Sequence, residues 1–255
     1  STMADIDGLD RKTAFLIGEA IGIQLDEARI LVWEMASNQW HVVVALDSII
    51  DFDLGLGEAG LRVSMVLEGG DIEIADLGAG NLENREIVLD QLATERDRVV
   101  DMGSKVYLIG ESGWVAVSAT DLNVRHLDAK GGSVLDARRF RTGNGLSQGL
   151  ISLMRRMEGA HQKVVASIVV LDENNNEVVL PEVDLTELFS TEKIRFPAIL
   201  AIPIDEVQSG INLLLAYNKG GTGRIACIET TGVAENSIAS LVWADTLDNG
   251  HDPSF

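Results

Sequence analysis

The sequence predicts an α+β protein, with a mixed and mainly antiparallel sheet and helices packed against it. Several segments place apolar residues at helical spacing, Val- and Ile-rich runs lie between those segments, and paired Gly or Asn residues separate neighbouring runs as they do in β-hairpins. The chain has 255 residues, 46% of them apolar, and a mean hydropathy of +0.14. This composition excludes a disordered chain, because enough apolar surface is present to form a core.

The N-terminal part is predicted to begin with two helices. Asp10 is a favourable N-cap for a helix that ends near Gly22, and Asp26 opens a second helix over residues 27–36. Val and Ile enrichment then predicts a strand from Trp40 to Ile50. The predicted elements that follow are a hairpin of residues 61–67 and 72–77, a helix of residues 82–100 capped by Asn81, and a hairpin of residues 105–109 and 114–119.

The C-terminal part is predicted to start after a loop. Residues 128–149 contain five glycines and no apolar periodicity, which is typical of a loop or linker. The predicted elements that follow are a helix of residues 147–158, a hairpin of residues 164–171 and 177–183, a short helix of residues 184–189, a strand of residues 196–204, a hairpin of residues 211–217 and 224–230, and a helix of residues 234–244.

The order of these elements is similar in the two parts of the chain. We therefore predict two related α+β halves, residues 3–137 and 138–247, followed by a frayed tail of residues 248–255. The alternative is one continuous mixed sheet without duplication. Met3 is interpreted as the natural start, no secretion signal follows it, and the chain has a single cysteine. A reducing cytoplasm is the expected location.

The charge of the chain argues against two classes of partner. It carries 40 acidic and 20 basic side chains, a net charge of −20. Nucleic acids and anionic membrane surfaces are bound mainly through Lys and Arg, so neither is an expected partner. No apolar run approaches the 20 or so residues of a membrane-spanning helix. The acidity is interpreted as a solubility feature, with a DNA mimic or an inhibitor of a basic partner as the alternative.

One short motif resembles a cofactor site. Residues 72–81 read as a strand that runs into Asp76-Leu-Gly78-Ala-Gly80-Asn81 and then a helix. The segment resembles the first motif of S-adenosylmethionine-dependent methyltransferases, in which glycines let the backbone approach the ligand. That family places a parallel strand before the motif, whereas this one is predicted to be a hairpin arm. The alternative is a strand-to-helix turn that uses Gly for its conformation.

A local reversal of charge marks a second candidate site. Residues 130–163 contain seven basic and two acidic side chains, in a chain that is acidic overall. Such a cluster suits an anionic ligand, and the alternative is that these arginines pair with the acidic surface of this chain or of a neighbouring subunit. The candidate ligand or interface residues are Arg138, Arg139, Arg141, Asn144, Arg155 and Arg156.

The sequence predicts no catalytic or metal site. The four histidines lack the spacing of a zinc site, and no Gly-x-Ser-x-Gly elbow is present. The leading hypothesis is therefore a non-enzymatic assembly or partner-binding protein, which binds a second copy of itself or another protein. One alternative is an enzyme that binds S-adenosylmethionine at Asp76–Asn81, and the other is a sensor that binds an anion through Arg138–Arg141.

Overall fold

The computed structural model describes eleven segments of the chain, and contacts divide the chain into two compact units, residues 1–95 and 96–255. The described residues are 13–16, 18–57, 60–77, 83–87, 97–141, 148–172, 174–186, 194–203, 211–219, 222–231 and 238–247. Every element whose bounds lie within these segments is a β-strand.

The first unit contains two four-stranded antiparallel sheets, each ordered as its strands occur in the chain. The first sheet consists of β1 (Thr13–Leu16), β2 (Ala20–Asp26), β3 (Arg29–Glu34) and β4 (Gln39–Val44). The second sheet consists of β5 (Ile49–Gly57), β6 (Gly60–Leu67), β7 (Ile72–Asp76) and β8 (Glu83–Ile87).

The core of the first unit lies between these two sheets. Ile30 and Val32 of β3 pack in the same cluster as Leu54 of β5, and Val63 and Met65 of β6. All five side chains are fully buried. Burial of this kind stabilises a fold by about 1.5–3 kcal/mol for each large aliphatic side chain. The two sheets are therefore held together by their facing apolar surfaces.

The second unit contains three antiparallel sheets. The first consists of β9 (Arg98–Asp101), β10 (Lys105–Gly110), β11 (Gly113–Ser118) and β12 (Val124–Leu127). The next consists of β13 (Ser133–Arg141), β14 (Gln148–Glu158), β15 (His161–Leu171), β16 (Glu177–Val179) and β17 (Val183–Asp184), the last paired with β15. The last consists of β18 (Ile194–Pro203), β19 (Ile211–Lys219), β20 (Thr222–Thr231) and β21 (Ile238–Leu247).

The middle sheet of the second unit packs on both of its faces. Leu150 and Met154 of β14 share a buried cluster with Trp114 of β11. Ile151 and Leu153, which alternate with them along the strand, share a different cluster with Leu213 of β19. Because neighbouring residues of a strand point to opposite faces, β14 must be apolar at almost every position.

The predicted α+β class is wrong, because the described residues form antiparallel sheets throughout. Residues 10–22 and 27–36, predicted as helices, contribute to β1, β2 and β3. Residues 147–158, also predicted as a helix, form β14. Residues 82–100 and 234–244 contribute strands β8, β9 and β21, although residues 88–96 and 232–237 lie outside the described segments.

Two-sided burial explains why the helix predictions fail. Leu150, Ile151, Met154 and Met157 have the spacing of an apolar helix stripe, but residues 149–154 are all buried as part of a strand. A strand that is covered on both faces does not alternate, so its pattern resembles that of a buried helix. At the second predicted helix, Asp26 does accept a hydrogen bond from the Ala28 N–H, at 3.1 Å, but within a β-hairpin turn rather than at a helix cap.

Predictions that rest on local turn chemistry are confirmed. The hairpins predicted at residues 61–77, 105–119, 164–183 and 211–230 are present as β6–β7, β10–β11, β15–β16 and β19–β20. The strand predicted at residues 196–204 is β18. The strand predicted from Trp40 to Ile50 is instead divided between β4 and β5. The short helix at residues 184–189 and the tail at residues 248–255 lie largely or wholly outside the described segments.

The predicted loop at residues 128–149 is also wrong, since β13 occupies residues 133–141 and β14 begins at Gln148. The predicted boundary between residues 137 and 138 falls within this strand. Gly149 belongs to β14 and pairs directly with Phe140 of β13. A Cβ at Gly149 would lie 2.3 Å from the Phe140 ring and 2.8 Å from the carbonyl oxygen of Val169. The glycine therefore makes room for a buried aromatic ring.

This packing predicts that Gly149→Ala destabilises the protein. We expect the free energy of unfolding to fall by about 1–3 kcal/mol, because the added methyl group must displace the ring and meets backbone on its other side. Urea denaturation followed by circular dichroism measures the change. Gly69→Ala is the control, since its Cβ would meet only the Asp71 carboxylate, at 3.6 Å. Equal stability of the two variants would contradict this account of Gly149.

Candidate interaction surface

The arginines predicted to form one cluster are divided between the two faces of their sheet. Arg138 and Arg139 are neighbours on β13, and Arg155 and Arg156 are neighbours on β14. Consecutive residues of a strand point to opposite faces. Arg141 ends β13, and Asn144 lies outside the described segments. The charge that is concentrated in the sequence is therefore dispersed in the structure.

Three of these arginines contact groups of the chain itself. The Arg138 Nε donates to both carboxylate oxygens of Asp136, at 3.1 and 3.3 Å. The Arg139 Nη1 donates to the backbone oxygen of Asp101, at 2.9 Å, and so joins β13 to β9. Arg156 forms a bidentate pair with Glu182, in which Nη1 lies 2.6 Å from Oε1. Arg155 is half-buried. A ligand role for these residues stays a prediction.

The Asp76 motif has a different geometry from the one that its resemblance implied. β7, which ends at Asp76, is antiparallel to both β6 and β8. Asp76 lies opposite the buried Arg62 in the register. Strand β8 follows where the resemblance implied a helix, and Gly78, Gly80 and Asn81 lie outside the described segments. The parallel strand and helix that position the methyltransferase cofactor are both missing from the described geometry.

A buried carboxylate joins two sheets of the second unit. The side chain of Glu177 on β16 is 1% exposed. Its Oε1 accepts from the Lys105 Nζ at 2.6 Å, its Oε2 accepts from Arg125 at 3.0 Å, and the Tyr107 hydroxyl lies 3.4 Å from Oε1. Burial and the neighbouring carboxylate raise the pKa of Tyr107. These groups are hydrogen-bond partners of one another, so the cluster supports the packing of the two sheets.

Four of the five exposed large apolar side chains in the described part of the first unit lie on or directly after β4, and the fifth is Leu56 on β5. Trp40, Val42 and Val44 alternate along this strand, and Leu46 follows it. Their exposed fractions are 60%, 49%, 54% and 66%. Because the residues of a strand alternate in direction, Trp40, Val42 and Val44 project from one face, while Val43 points into the core. This set of four side chains is called the β4 surface below.

The neighbouring strands extend the apolar character of this face. In the register, Trp33 and Leu31 of β3 lie opposite Trp40 and Val42. The Trp33 and Trp40 rings are stacked, with centroids 5.9 Å apart and an interplanar angle of 24°. Trp33 and Leu31 are half-buried. Aromatic stacking of this kind contributes about 0.5–1.5 kcal/mol beyond area burial, so the exposed Trp40 ring is held in place.

The backbone of β4 adds hydrogen-bonding groups to this surface. β4 is an edge strand of its sheet and pairs only with β3 among the described strands. The Ala45 N–H bonds to the Ala28 carbonyl, at 2.8 Å. Since antiparallel ladders bond at every second residue, the peptide groups of Trp40 and Val42 point away from β3. The surface therefore combines apolar side chains with the outward backbone groups of Trp40 and Val42, whereas the Leu46 N–H already donates to the Glu73 carboxylate, at 2.9 Å.

Two acidic residues lie near the two ends of β4, one of them on the neighbouring strand β3. Glu34 lies opposite Gln39, where β4 begins, and Asp47 follows the end of the strand. Glu34 contacts the Ser37 hydroxyl and lies 3.6 Å from the His41 Nε2. The first unit as a whole holds 19 acidic and five basic residues, a net charge of −14. The unit that carries the β4 surface is therefore acidic, although Arg29 of β3 lies opposite Val44.

Sequence reasoning identified the strand but not its exposure. The run from Trp40 to Leu46 contains no charged residue or proline. A continuous apolar run usually indicates a strand that is buried on both faces. The available signal for this exposure was that the strand contains no charged residue although an acidic turn follows it. The position of β4 at the edge of the sheet, which exposes it, follows only from the topology.

The described segments offer no metal centre and no membrane-spanning helix. Within them, no three His, Cys, Asp or Glu side chains are grouped as metal ligands. Those segments also contain no helix long and apolar enough to cross a lipid bilayer. Cys227 lies in β20 and is half-buried.

Comparisons with known proteins show similarity of fold. No protein-family model matches the sequence. No curated protein sequence matches it significantly. A solved structure of hydrazine synthase from Kuenenia stuttgartiensis is similar, with a TM-score of 0.55 and 10% identity over 94% of this chain and 66% of that one. The WD40 domain of SCAP from fission yeast has a TM-score of 0.50 and 9% identity over 86% of this chain and 59% of that one.

These similarities concern the fold alone. WD40 domains are β-propellers built from repeated four-stranded antiparallel sheets, and four of the five sheets described here are likewise four-stranded and antiparallel. The chain spans less than two thirds of the length of either structure. The similar structures, like the strands of this chain, therefore contradict the predicted α+β class.

The Glu177 cluster predicts a pH-dependent contribution to stability. Burial raises the pKa of this carboxyl group, but hydrogen bonding to Lys105 and the nearby charges of Lys105 and Arg125 outweigh it, so the pKa is lowered. A group with a lowered pKa stabilises the folded state above its unfolded pKa, and this stabilisation is lost as the pH falls through the folded value. We expect Glu177→Gln to reduce the free energy of unfolding by about 1–3 kcal/mol at pH 7.

The difference in the free energy of unfolding between wild type and Glu177→Gln should then shrink as the pH is lowered from about 5 to below 4. In this range the wild-type carboxylate becomes protonated and is then neutral, as Gln is. Urea denaturation at a series of pH values measures it. Asp128→Asn is the control in the same unit, since Asp128 is exposed. A loss of stability that does not vary with pH would mean that the carboxylate charge is not what stabilises the cluster.

Proposed function

We propose that this chain is a non-enzymatic protein that binds another protein chain through the β4 surface. The observation that carries this proposal is the exposure of Trp40, Val42 and Val44 on one edge strand, together with Leu46 directly after it. Single exposed apolar residues are common on soluble proteins, whereas a contiguous group marks an interaction site. Aromatic residues such as Trp40 are also enriched at protein interfaces.

The alternative functions have less support. An S-adenosylmethionine-dependent enzyme would need a parallel strand at Asp76, and β7 is antiparallel to both neighbours. An anion sensor would need arginines that converge on one site, and Arg138 and Arg139 project from opposite faces of β13. A homo-oligomer is the version of the proposal in which the partner is a second copy. A cytoplasmic location stays a prediction from the sequence.

The proposal predicts that Val42→Lys removes partner binding while leaving the fold intact. The substitution adds a charge to the centre of the surface, and the half-exposed position tolerates a Lys side chain. Affinity capture from cells of the source organism, quantified by mass spectrometry, should recover specific partners with wild type and at least tenfold less with the variant. Sedimentation velocity on the purified protein tests for a second copy in the same way.

Val124→Lys is the matched control. Val124 is 41% exposed and lies on β12, which is also an edge strand. The control should capture the same partners as wild type. Loss of binding in both variants would point to a general effect of added positive charge, and retention in both would overturn the proposal.

A further inference from the structure

We infer that one whole face of the first sheet is a self-association surface, which packs against the same face of a second copy of this chain. This face, called the outer face below, is the side of β2, β3 and β4 that carries Ile21, Leu31 and Val42. The inference rests on the proposed function and names the partner of the β4 surface. It is carried by the extent of the apolar face, by its charge and by its geometry.

The apolar part of the outer face extends beyond β4. The strand registers continue the row of apolar residues from β4 across β3 to β2. Its members, which are all half-buried or exposed, are Ile21, Ile23, Leu31, Trp33, Trp40, Val42 and Val44. None of the seven belongs to a buried cluster of the described residues, whereas Ile30, Val32 and Val43 of the opposite face all do. The described residues therefore cover only one face of this sheet.

The outer face carries no net charge. On β2, β3 and β4 its charged residues are Asp26 and Arg29, which lie opposite each other where the β2–β3 hairpin turns. The Arg29 Nε donates to the Asp26 carboxylate at 2.6 Å, so the two charges offset each other. A strongly charged partner would meet no opposite net charge here, whereas a second copy would bring no unpaired charge into the contact. The charge pattern therefore favours the same face of another copy.

The geometry of a sheet face suits pairing with itself. Antiparallel sheets pack face to face through interdigitating side chains, and the first and second sheets of this unit share a core of this kind. A two-fold axis brings the same patch of two copies together, so that patch must be complementary to itself. An apolar sheet face without net charge meets this condition. Stacking on Trp33 already orders the Trp40 ring, which reduces the entropy lost on association.

The size of the outer face and the charge of its unit set the strength of the pairing. The exposed apolar patch covers on the order of 400 Å², whereas a stable interface buries about 800 Å² on each partner. The unit has a net charge of −14, so two copies repel each other until salt screens their charges. We therefore expect a reversible dimer that strengthens as salt is added, whereas binding to a basic partner would weaken.

Sedimentation velocity of the full-length chain over about 5–200 μM measures this dimer. Wild type should shift from monomer to dimer in this range, with a dissociation constant at least threefold lower at about 0.5 M than at about 0.05 M salt. Val42→Lys should dimerise at least tenfold more weakly, and so should Arg29→Glu, which leaves two unpaired carboxylates on the face. Val124→Lys, on the exposed edge strand β12, should behave as wild type.

Mixtures of wild type and Val42→Lys test whether both copies use the same face. A trace of fluorescein-labelled wild type, followed by sedimentation, reports the mixed dimer. If the two faces are identical, every mixed dimer contains one substituted face and should form at least tenfold more weakly than the wild-type dimer. In a head-to-tail contact, the unsubstituted surface of the variant would bind the wild-type face with full affinity. Full affinity in the mixture would overturn the inference.

The outcomes separate this inference from the proposed function. If wild type stays monomeric, or if its dimer weakens with salt or is unaffected by Val42→Lys, the inference is wrong. Loss of partner capture by Val42→Lys would then still support the proposed function, with a different protein on the surface. If Val42→Lys lowers the urea midpoint of the monomer far more than Val124→Lys does, a segment of the same chain covers the outer face, and both proposals fail.

Discussion

Antiparallel pairing between strands that are consecutive in the chain is the constraint on which the rest of the structure depends. This pairing provides hydrogen-bond partners for the backbone groups of each sheet from neighbouring segments of the chain. The two faces of each sheet must still be covered by other parts of the protein. In the second unit the middle sheet meets this need on both sides, with Leu150 and Ile151 of one strand in two different cores. Strands of this kind must be apolar at consecutive positions, and this requirement shapes the whole sequence.

The same constraint makes the β4 surface conspicuous. One face of the first sheet packs on its neighbour through Ile30, Val32 and Val43. The opposite face carries Trp40, Val42 and Val44, whose side chains remain about half exposed or more. A sheet with two apolar faces and only one of them covered has a remaining hydrophobic driving force for association. The proposed binding function is thus a consequence of how the sheets are built.

Strand geometry also accounts for the fate of the basic segment. Arg138 and Arg139 are adjacent in sequence, but a strand directs them to opposite faces, where they contact Asp136 and the Asp101 backbone. A helix would have placed residues three or four apart together. The expectation that these side chains lie together depended on the secondary structure of the segment, and a strand directs neighbouring residues to opposite faces.

The sequence by itself determined four of the hairpins, β6–β7, β10–β11, β15–β16 and β19–β20. Paired glycines at positions 69 and 70, and three asparagines from position 174, specify local backbone geometry whatever the remainder of the chain does. Only the tertiary structure decided whether apolar runs such as residues 149–154 are helices or strands, because burial on both faces removes the periodicity that distinguishes them. It alone decided that Trp40 and Val42 lie on an edge, since that depends on which strands pair.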